Sequence, residues 1–312
     1  MAPSAASATT TGNQADQTGS ANLKNTISTG LRYGAYPPVG GSKAKPVHLI
    51  RIPKFIRLED ERAHRKLHHA AALRWLGAAG YNNEGAGGHV TVRDPILTDH
   101  FWINPHAVSW NYMKPSDLVL VNHEGEVVGG NLHSINPAGF VIHSAVHKHR
   151  PDVIAAVHCH SVPSKAFSAI GCNLEPINQD ACRFYNAHSI YNDFGGIAFD
   201  PEEGEHIAAA LGDKKAVILQ NHGILTVAKT VDAAAFLFGA MDRCIQAQLL
   251  ADAACAGRGT KTIKVDHIDA EYTQKSYTDE MEYIMFQSQF EDVVRGSNGE
   301  LSMLSGGELP RE

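Results

Sequence analysis

The stretch Ala155–Phe167, AAVHCHSVPSKAF, is the most informative part of this 312-residue chain because an apolar run ends there in two histidines two residues apart. Side chains of a β-strand alternate between its two faces, so His158 and His160 share one face and Cys159 lies on the other. The apolar run 153–157 predicts a buried strand that ends at a site. Two imidazoles on one face are half of a metal site, although ordinary hydrogen-bonded histidines give the same pattern.

A second histidine-bearing segment supplies a third candidate ligand. In LQNHGILTV, His222 follows an apolar run and precedes a glycine, where a strand end can turn and present a side chain. Three neutral imidazoles with an open position suit Zn²⁺, Mn²⁺, Fe²⁺ or Co²⁺. The sequence therefore predicts a three-histidine metal site.

The composition excludes several classes of protein. A hydrophobic fraction of 43%, a charged fraction of 19% and the lack of a long apolar run predict a globular protein without a membrane span. The net charge of −6, without any polybasic run, argues against a nucleic-acid partner. Five scattered cysteines without a CxxC pair predict reduced thiols. With no recognisable targeting signal, the expected location is cytoplasmic.

Three segments are predicted along the chain. Residues 1–45 are rich in Ala, Ser, Thr and Gly and read as a disordered arm. Residues 46–257 carry helical and strand-like patterns, beginning with a helix over 54–79 and followed by short antiparallel strands. Residues 258–312 are polar, and a short helix is predicted around 277–291. This segment has no apolar core of its own, and a neighbouring subunit is one surface on which it could pack.

Several of these motifs together resemble a known family. VHCHS, followed roughly sixty residues later by QNHGIL and preceded by GGHVTVRDP and FWINP, is similar to the class II aldolase and adducin-head family over roughly residues 55–257. The resemblance implies an α/β fold of three α/β/α layers with a central, mainly antiparallel sheet. It also implies a homotetramer with sites at subunit interfaces, and a divalent metal on His158, His160 and His222. Zinc is the expected ion, with manganese and iron as alternatives.

The sequence departs from the family aldolases at their phosphate-binding and acid/base positions. Where those aldolases have a Ser-Ser-Glu segment, this chain has Pro137, Ala138 and Gly139. The other two phosphate contacts match Gly88-His89 and His106-Ala107. These losses predict that the substrate carries no phosphate.

The predicted function is that of a metal-dependent lyase, a decarboxylase or an aldolase, that acts on a small unphosphorylated carboxylate or carbonyl compound. Loss of the glutamate favours decarboxylation, which needs no base to remove a hydroxyl proton. The candidate substrate-binding residues are His89, Arg93 and His106. The candidate acid/base residues are Asp180, Tyr185 and Glu84.

Other interpretations stay open for several of these residues and for the whole chain. Asp180 could equally cap the turn that follows it, and Glu84 could be a solvated loop residue. The helical pair His64 and His68 is expected on a solvated face. The pair His143 and His147 is expected to pack and form hydrogen bonds. A non-catalytic adducin-like assembly or actin-cytoskeleton protein is the alternative function, and an Fe²⁺ oxygenase is a third.

Overall fold

The computed structural model describes residues 50–83 and 85–302, so the predicted disordered arm over residues 1–45 lies outside the described residues. The α-helices within the described part are α1 (Leu58–Ala78), α2 (Pro137–His149), α3 (Val162–Ser168), α4 (Pro201–Leu211), α5 (Val231–Arg258), α6 (His267–Ser276) and α7 (Asp279–Gly296). The strands are β1 (His89–Arg93), β2 (Phe101–Ile103), β3 (Val119–Val121), β4 (Val127–Gly130), β5 (Ala155–Cys159), β6 (His188–Tyr191), β7 (Ala216–Leu219) and β8 (Gly223–Ala228).

The strands form one eight-stranded sheet in the order β4-β3-β2-β1-β5-β8-β7-β6. All neighbouring strands are antiparallel except β6 and β7, which are parallel. β5, the strand predicted from AAVHC, lies near the middle of the sheet and is buried along its whole length. The prediction of a mainly antiparallel central sheet is confirmed.

Helices cover both faces of the sheet. On one face, Val90, Val92 and Val157 belong to a core that also contains apolar residues of α1, α5 and α7. On the other face, Ala156 belongs to a second core with apolar residues of α2 and α4. Successive strand residues thus enter different cores, as the period of two requires. The α/β fold with three layers is confirmed.

The first helix begins later than the sequence predicts. The apolar pattern predicts a start near Lys54, whereas the helix starts at Leu58. Arg57 has an extended conformation (φ −110°, ψ 132°) that ends the preceding non-helical segment. Three acidic residues in the first turn, residues 59–61, favour this start because negative charge is stabilised at a helix N-terminus.

The segment after residue 257 is more ordered and better packed than its polar composition predicts. Instead of one short helix over 277–291 it forms α6 and α7. Phe286 of α7 is fully buried, and its ring meets that of Trp75 edge-on with centroids 5.3 Å apart. The segment therefore shares the main core of its own chain. Contact with a neighbouring subunit stays a prediction.

The α1 pair His64 and His68 is not on a solvated face. His68 is buried, and its Nδ1 lies 2.6 Å from Oδ1 of the buried Asp232 on α5. The two histidine rings lie 3.9 Å apart between centroids. The expectation was wrong for His68 because Asp232, on a helix far along the chain, gives its ring a polar partner inside the core.

No helix in residues 50–83 and 85–302 combines the length and the apolar character that a membrane crossing needs.

Candidate metal centre

Three histidines from two neighbouring strands meet at one end of the sheet. His158 is the fourth residue of β5, His160 follows that strand, and His222 immediately precedes β8. The ring centroids are 4.8 Å apart for His158 and His160, 4.7 Å for His158 and His222, and 4.8 Å for His160 and His222. One ring nitrogen of each lies within 4.8 Å of the others. The predicted triad is thus brought together in space.

The turn between β7 and β8 presents His222. Leu219 and Gly223 are paired across the turn, which leaves only residues 220–222 in the loop. Asn221 has the left-handed conformation (φ 57°) that lets so short a loop close, and asparagine tolerates it better than most residues. The histidine side chain is therefore held at the end of the strand next to β5.

A hydrogen bond orients the His158 ring. Its Nδ1 lies 2.9 Å from the backbone carbonyl oxygen of Ile224, so Nδ1 carries the proton and donates. The other ring nitrogen, Nε2, then carries a lone pair instead of a proton. It is buried without a hydrogen-bond partner among the described residues. An orphaned buried nitrogen beside two further imidazoles fits a metal ligand, because a backbone acceptor commonly fixes the tautomer of ligating histidines.

Burial keeps His158 and His222 in the neutral form that metal ligation requires. The pKa of His158 is lowered well below its ordinary value, first by burial and then by the neighbouring His222. Burial, followed by His160, lowers the pKa of His222 to about 4. At neutral pH both imidazoles are uncharged, so no proton has to be displaced when an ion binds. Three neutral imidazoles with a free fourth position suit a catalytic divalent ion.

His89 lies beside the triad on the next strand. It is paired with His158 in the register of β1 and β5, and the two rings stack with centroids 4.9 Å apart. Its side chain is 3% exposed. The structure thus brings the predicted substrate-binding residue His89 to the candidate centre. Its role as a substrate contact stays a prediction.

The predicted substrate contact Arg93 lies elsewhere. It is the last residue of β1, at the other end of the strand from His89. Its guanidinium donates to the backbone carbonyls of Val153, Thr98 and His147. These contacts hold its charge at the opposite end of β1, so the structure does not bring Arg93 to the triad, and its role as a substrate contact stays a prediction.

The other predicted site residues, His106, Asp180 and Tyr185, make no direct contact with the triad that the structure records. His106 follows β2 at the end of the sheet where β1 begins, and its Nδ1 is buried without a partner among the described residues. Asp180 is exposed, and Tyr185 is half-buried at the end of a single turn of 3-10 helix. No hydrogen bond or ion pair within the described part of the chain joins either to the triad. Their roles stay predictions, and Glu84 lies outside the described residues.

The alternative assignment of Asp180 as a side-chain cap is not supported. It occupies the N-cap position of the 3-10 turn but makes no side-chain capping bond. The Asn178 side chain instead accepts a hydrogen bond from the Ala181 backbone amide at 2.8 Å.

A buried hydrogen-bonded chain behind His89 was not predicted as a unit. Its members are His89, His143, Thr91, His147 and Arg93. Sequence reasoning correctly assigned hydrogen bonding to His143 and His147. The signal for the whole chain was the coincidence of two periods: residues two apart on β1 share a face, and residues four apart on α2 share a face.

Comparison with known proteins places this architecture in one family. A family model described as Class II Aldolase and Adducin N-terminal domain matches residues 68–249.

Two curated relatives have named activities. The chain is 41% identical over 202 residues to the decarboxylase NovR of Streptomyces niveus, covering 65% of this chain and 75% of that protein. It is 40% identical over 202 residues to the 4-hydroxy-3-prenylphenylpyruvate oxygenase/4-hydroxy-3-prenylbenzoate synthase of Streptomyces roseochromogenus subsp. oscitans, covering 65% of this chain and 73% of that protein.

A solved structure has a similar fold. The L-fuculose 1-phosphate aldolase of Glaciozyma antarctica PI12 matches with a TM-score of 0.73 and 40% sequence identity, over 80% of this chain and 96% of that one.

Proposed function

Because this chain belongs to the family of class II aldolase and adducin N-terminal domains, we propose that it is a metal-dependent carbon–carbon lyase of the class II aldolase type. Its substrate is a small unphosphorylated carboxylate or carbonyl compound, and its action is decarboxylation or aldol cleavage. The observation that carries the proposal is the convergence of His158, His160 and His222, with the buried Nε2 of His158 free of any partner among the described residues. Zinc is the expected ion, and a cytoplasmic homotetramer the expected form.

A divalent ion on these three neutral ligands would keep its full positive charge, polarise a substrate oxygen and stabilise the negative charge that develops as a carbon–carbon bond breaks. The chain's own residues would hold and orient the substrate. The His89 ring, stacked on His158, lies directly beside the triad. The absence of a side chain at Gly139 gives this ring its room.

The loss of the aldolase glutamate favours decarboxylation over aldol cleavage. Aldol cleavage needs a base that removes a hydroxyl proton, whereas decarboxylation does not. Where the family aldolases have a glutamate for this acid/base work, this chain has Gly139. The name of the Streptomyces niveus relative supports the same choice.

Metal content is the first test. Elemental mass spectrometry of the purified protein is expected to find close to one divalent ion per chain, and His158→Ala and His222→Ala are each expected to lose it. His206→Ala, on the exposed face of α4, is the matched control and should keep the ion. A wild-type protein that takes up no ion from zinc, manganese or iron solutions would contradict the proposal.

Substrate class is the second test. The metal-loaded protein is assayed for CO₂ release and aldol cleavage with a panel of aromatic and aliphatic 2-oxo and hydroxy acids. L-fuculose 1-phosphate is added because the Glaciozyma antarctica relative carries that name. Turnover of an acid but not of the sugar phosphate supports the proposal. Cleavage of the sugar phosphate alone overturns the unphosphorylated substrate, and no turnover at all favours a non-catalytic adducin-like assembly.

An oxygenase is the second candidate function, and the name of the Streptomyces roseochromogenus relative favours it. Three histidines with open positions also suit Fe²⁺. The iron-loaded protein is assayed with the same acids in air and under nitrogen, with dissolved oxygen recorded. Consumption of oxygen in step with acid, and no reaction under nitrogen, would select the oxygenase over the lyase.

A further inference from the structure

We propose that Arg93 acts as a positioning residue which, through His147, Thr91 and His143, fixes His89 as a hydrogen-bond donor beside the histidine triad. The N–H at Nε2 of His89 would then meet an oxygen of a carboxylate or carbonyl ligand. The identity of that ligand rests on the proposed function, whereas the direction of the hydrogen bonds from Arg93 to His89 does not.

The five side chains form an unbroken run of contacts. Nη2 of Arg93 lies 3.3 Å from Nδ1 of His147, and Nε2 of His147 lies 2.8 Å from the Thr91 hydroxyl. That hydroxyl lies 2.7 Å from Nδ1 of His143, whose Nε2 lies 2.9 Å from Nδ1 of His89. The hydroxyl and the three imidazoles are almost completely buried, so water does not compete for these contacts.

The direction of every hydrogen bond follows from the arginine. A guanidinium only donates, so Nδ1 of His147 accepts and the proton of that neutral ring is on Nε2. The Val153 backbone carbonyl, which also lies near this ring, accepts from Nε of Arg93 instead. Thr91 therefore accepts from His147 and donates to Nδ1 of His143. The proton of His143 is then on Nε2, and it is donated to Nδ1 of His89. His89 is left with its own proton on Nε2.

The donor end of the chain lies beside the triad. The His89 ring stacks on His158 at an interplanar angle of 25°. A Cβ at Gly139 would lie 2.1 Å from Cδ2 of His89 and 2.5 Å from its Nε2, so the ring packs against the glycine and fits only because no side chain is there. Nε2 has no hydrogen-bond partner among the described residues, whereas Nδ1 is occupied by His143. The edge of the ring that lacks a partner is the one that carries the proton.

The opposite direction would give His89 a different chemistry. If Nδ1 of His147 carried the proton, each bond of the chain would reverse, and Nε2 of His89 would be a lone pair. Such a lone pair could act as a base or as a fourth metal ligand. The guanidinium next to His147 opposes that arrangement, because two donors would then face each other. Arg93, although remote from the site, thus determines whether Nε2 of His89 is a hydrogen-bond donor or an acceptor.

The tautomer of His89 is the direct test, and it does not require any activity. Full-length protein labelled with ¹⁵N-histidine is examined by two-bond ¹H–¹⁵N correlation NMR, metal-free and zinc-loaded. The His89 signal is identified as the one missing from His89→Gln. The expected pattern is that of a neutral ring with the proton on Nε2. A neutral ring with the proton on Nδ1 would overturn the proposal.

Two variants of Thr91 test whether the hydrogen bonds through its hydroxyl fix the tautomer of His89. Thr91→Ser keeps the hydroxyl and is expected to keep the tautomer, whereas Thr91→Val removes the link and is expected to give a mixture of tautomers. Oxalate, titrated into the zinc-loaded protein, is expected to bind at least about tenfold more weakly to Thr91→Val and within about twofold of wild type to Thr91→Ser. Equal loss of oxalate binding in both variants would contradict the role of the hydroxyl. If the tautomer is as expected but no acid is turned over, the proposed function fails and the orientation stands.

Discussion

At the scale of single residues, Gly139 and His89 compete for the same space. Gly139 is the third residue of α2, whose cap Asn136 accepts hydrogen bonds from the backbone amides of Ala138 and Gly139. A side chain at position 139 would lie against the His89 ring. The glycine is therefore retained in a helix, where it is intrinsically unfavourable, because the histidine needs the room.

The variant Gly139→Ala separates packing from helix propensity. Propensity alone predicts that alanine stabilises the helix by up to about 1 kcal/mol. Forcing a methyl group against a buried ring is expected to cost about 1–3 kcal/mol instead, so the free energy of unfolding should fall. Urea unfolding of Gly139→Ala shows whether its free energy of unfolding is lower or higher than that of the wild type.

The matched control is Gly257→Ala in α5, where an added Cβ meets nothing within 4 Å. That variant should be neutral or more stable. A stabilised Gly139→Ala would show that the His89 ring does not occupy the position described.

Buried neutral histidines also predict how stability depends on pH. Burial lowers the pKa of each of His69, His143 and His147 to about 3. In the unfolded chain a histidine has a pKa of about 6.5, so between these two values only the unfolded state takes up the proton. Stability is therefore complete above about pH 7.5 and is lost as the pH falls through 6.5, by about 2 kcal/mol per histidine at pH 5.

His69 isolates this effect, because its ring is fully buried and burial outweighs the opposing Val90 backbone contact in setting its pKa. His69→Phe is expected to reduce the loss of unfolding free energy between about pH 8 and pH 5 by about 2 kcal/mol, measured by urea unfolding of metal-free protein. His206→Ala, on the surface, should leave the loss unchanged. An unchanged loss in His69→Phe would mean that His69 takes up its proton in the folded state as well.

Residues of the site differed in how far the sequence could predict them. His158 and His160 were predictable because the period of a strand is a local property. The position of Arg93 was not, because its acceptors Val153 and His147 are more than fifty residues away along the chain. His68 was assigned to solvent for the same reason: its partner Asp232 lies on a distant helix.

At the scale of secondary structure elements, α7 shows what a composition-based argument misses. Its sequence is polar on average, yet Tyr283 and Phe286 are buried on one side. Phe290, Val293 and Val294 pack against the same core, so the apolar stripe continues with helical spacing along the helix. The short strands β1 and β5 were easier to predict, because β5 ends a continuous apolar run and β1 alternates valines with polar residues.

The stability of the core is expected to depend on α7. Phe286→Ala removes a fully buried ring that packs on Trp75, and the free energy of unfolding should fall by about 3–5 kcal/mol. The control Ile268→Ala changes an exposed apolar residue of α6 and should have an effect within about 0.5 kcal/mol. Thermal unfolding followed by circular dichroism distinguishes the two. A small effect of Phe286→Ala would indicate that α7 is an appendage rather than part of the core.

At the scale of the whole molecule, the described surface carries an apolar residue next to the site. Val162, two residues after His160, is 72% exposed. Ser161 between them caps α3 by accepting a hydrogen bond from the Ser164 amide, and Val162 is the first residue of that short helix. The family resemblance implies a homotetramer with sites at subunit interfaces, so this exposed valine next to the candidate ligands is expected to be covered by a neighbouring subunit.

Sedimentation equilibrium of the full-length protein is therefore expected to give about four times the chain mass of 33.7 kDa. Val162→Asp places a charge in the expected interface, where an unpaired buried carboxylate costs several kcal/mol, and should shift the mass toward smaller species. The matched control is Ile263→Asp, which changes a residue that is 89% exposed in the segment before α6. If Val162→Asp stays tetrameric and Ile263→Asp dissociates, the subunits meet through the C-terminal segment, as its predicted packing on a neighbour would have it.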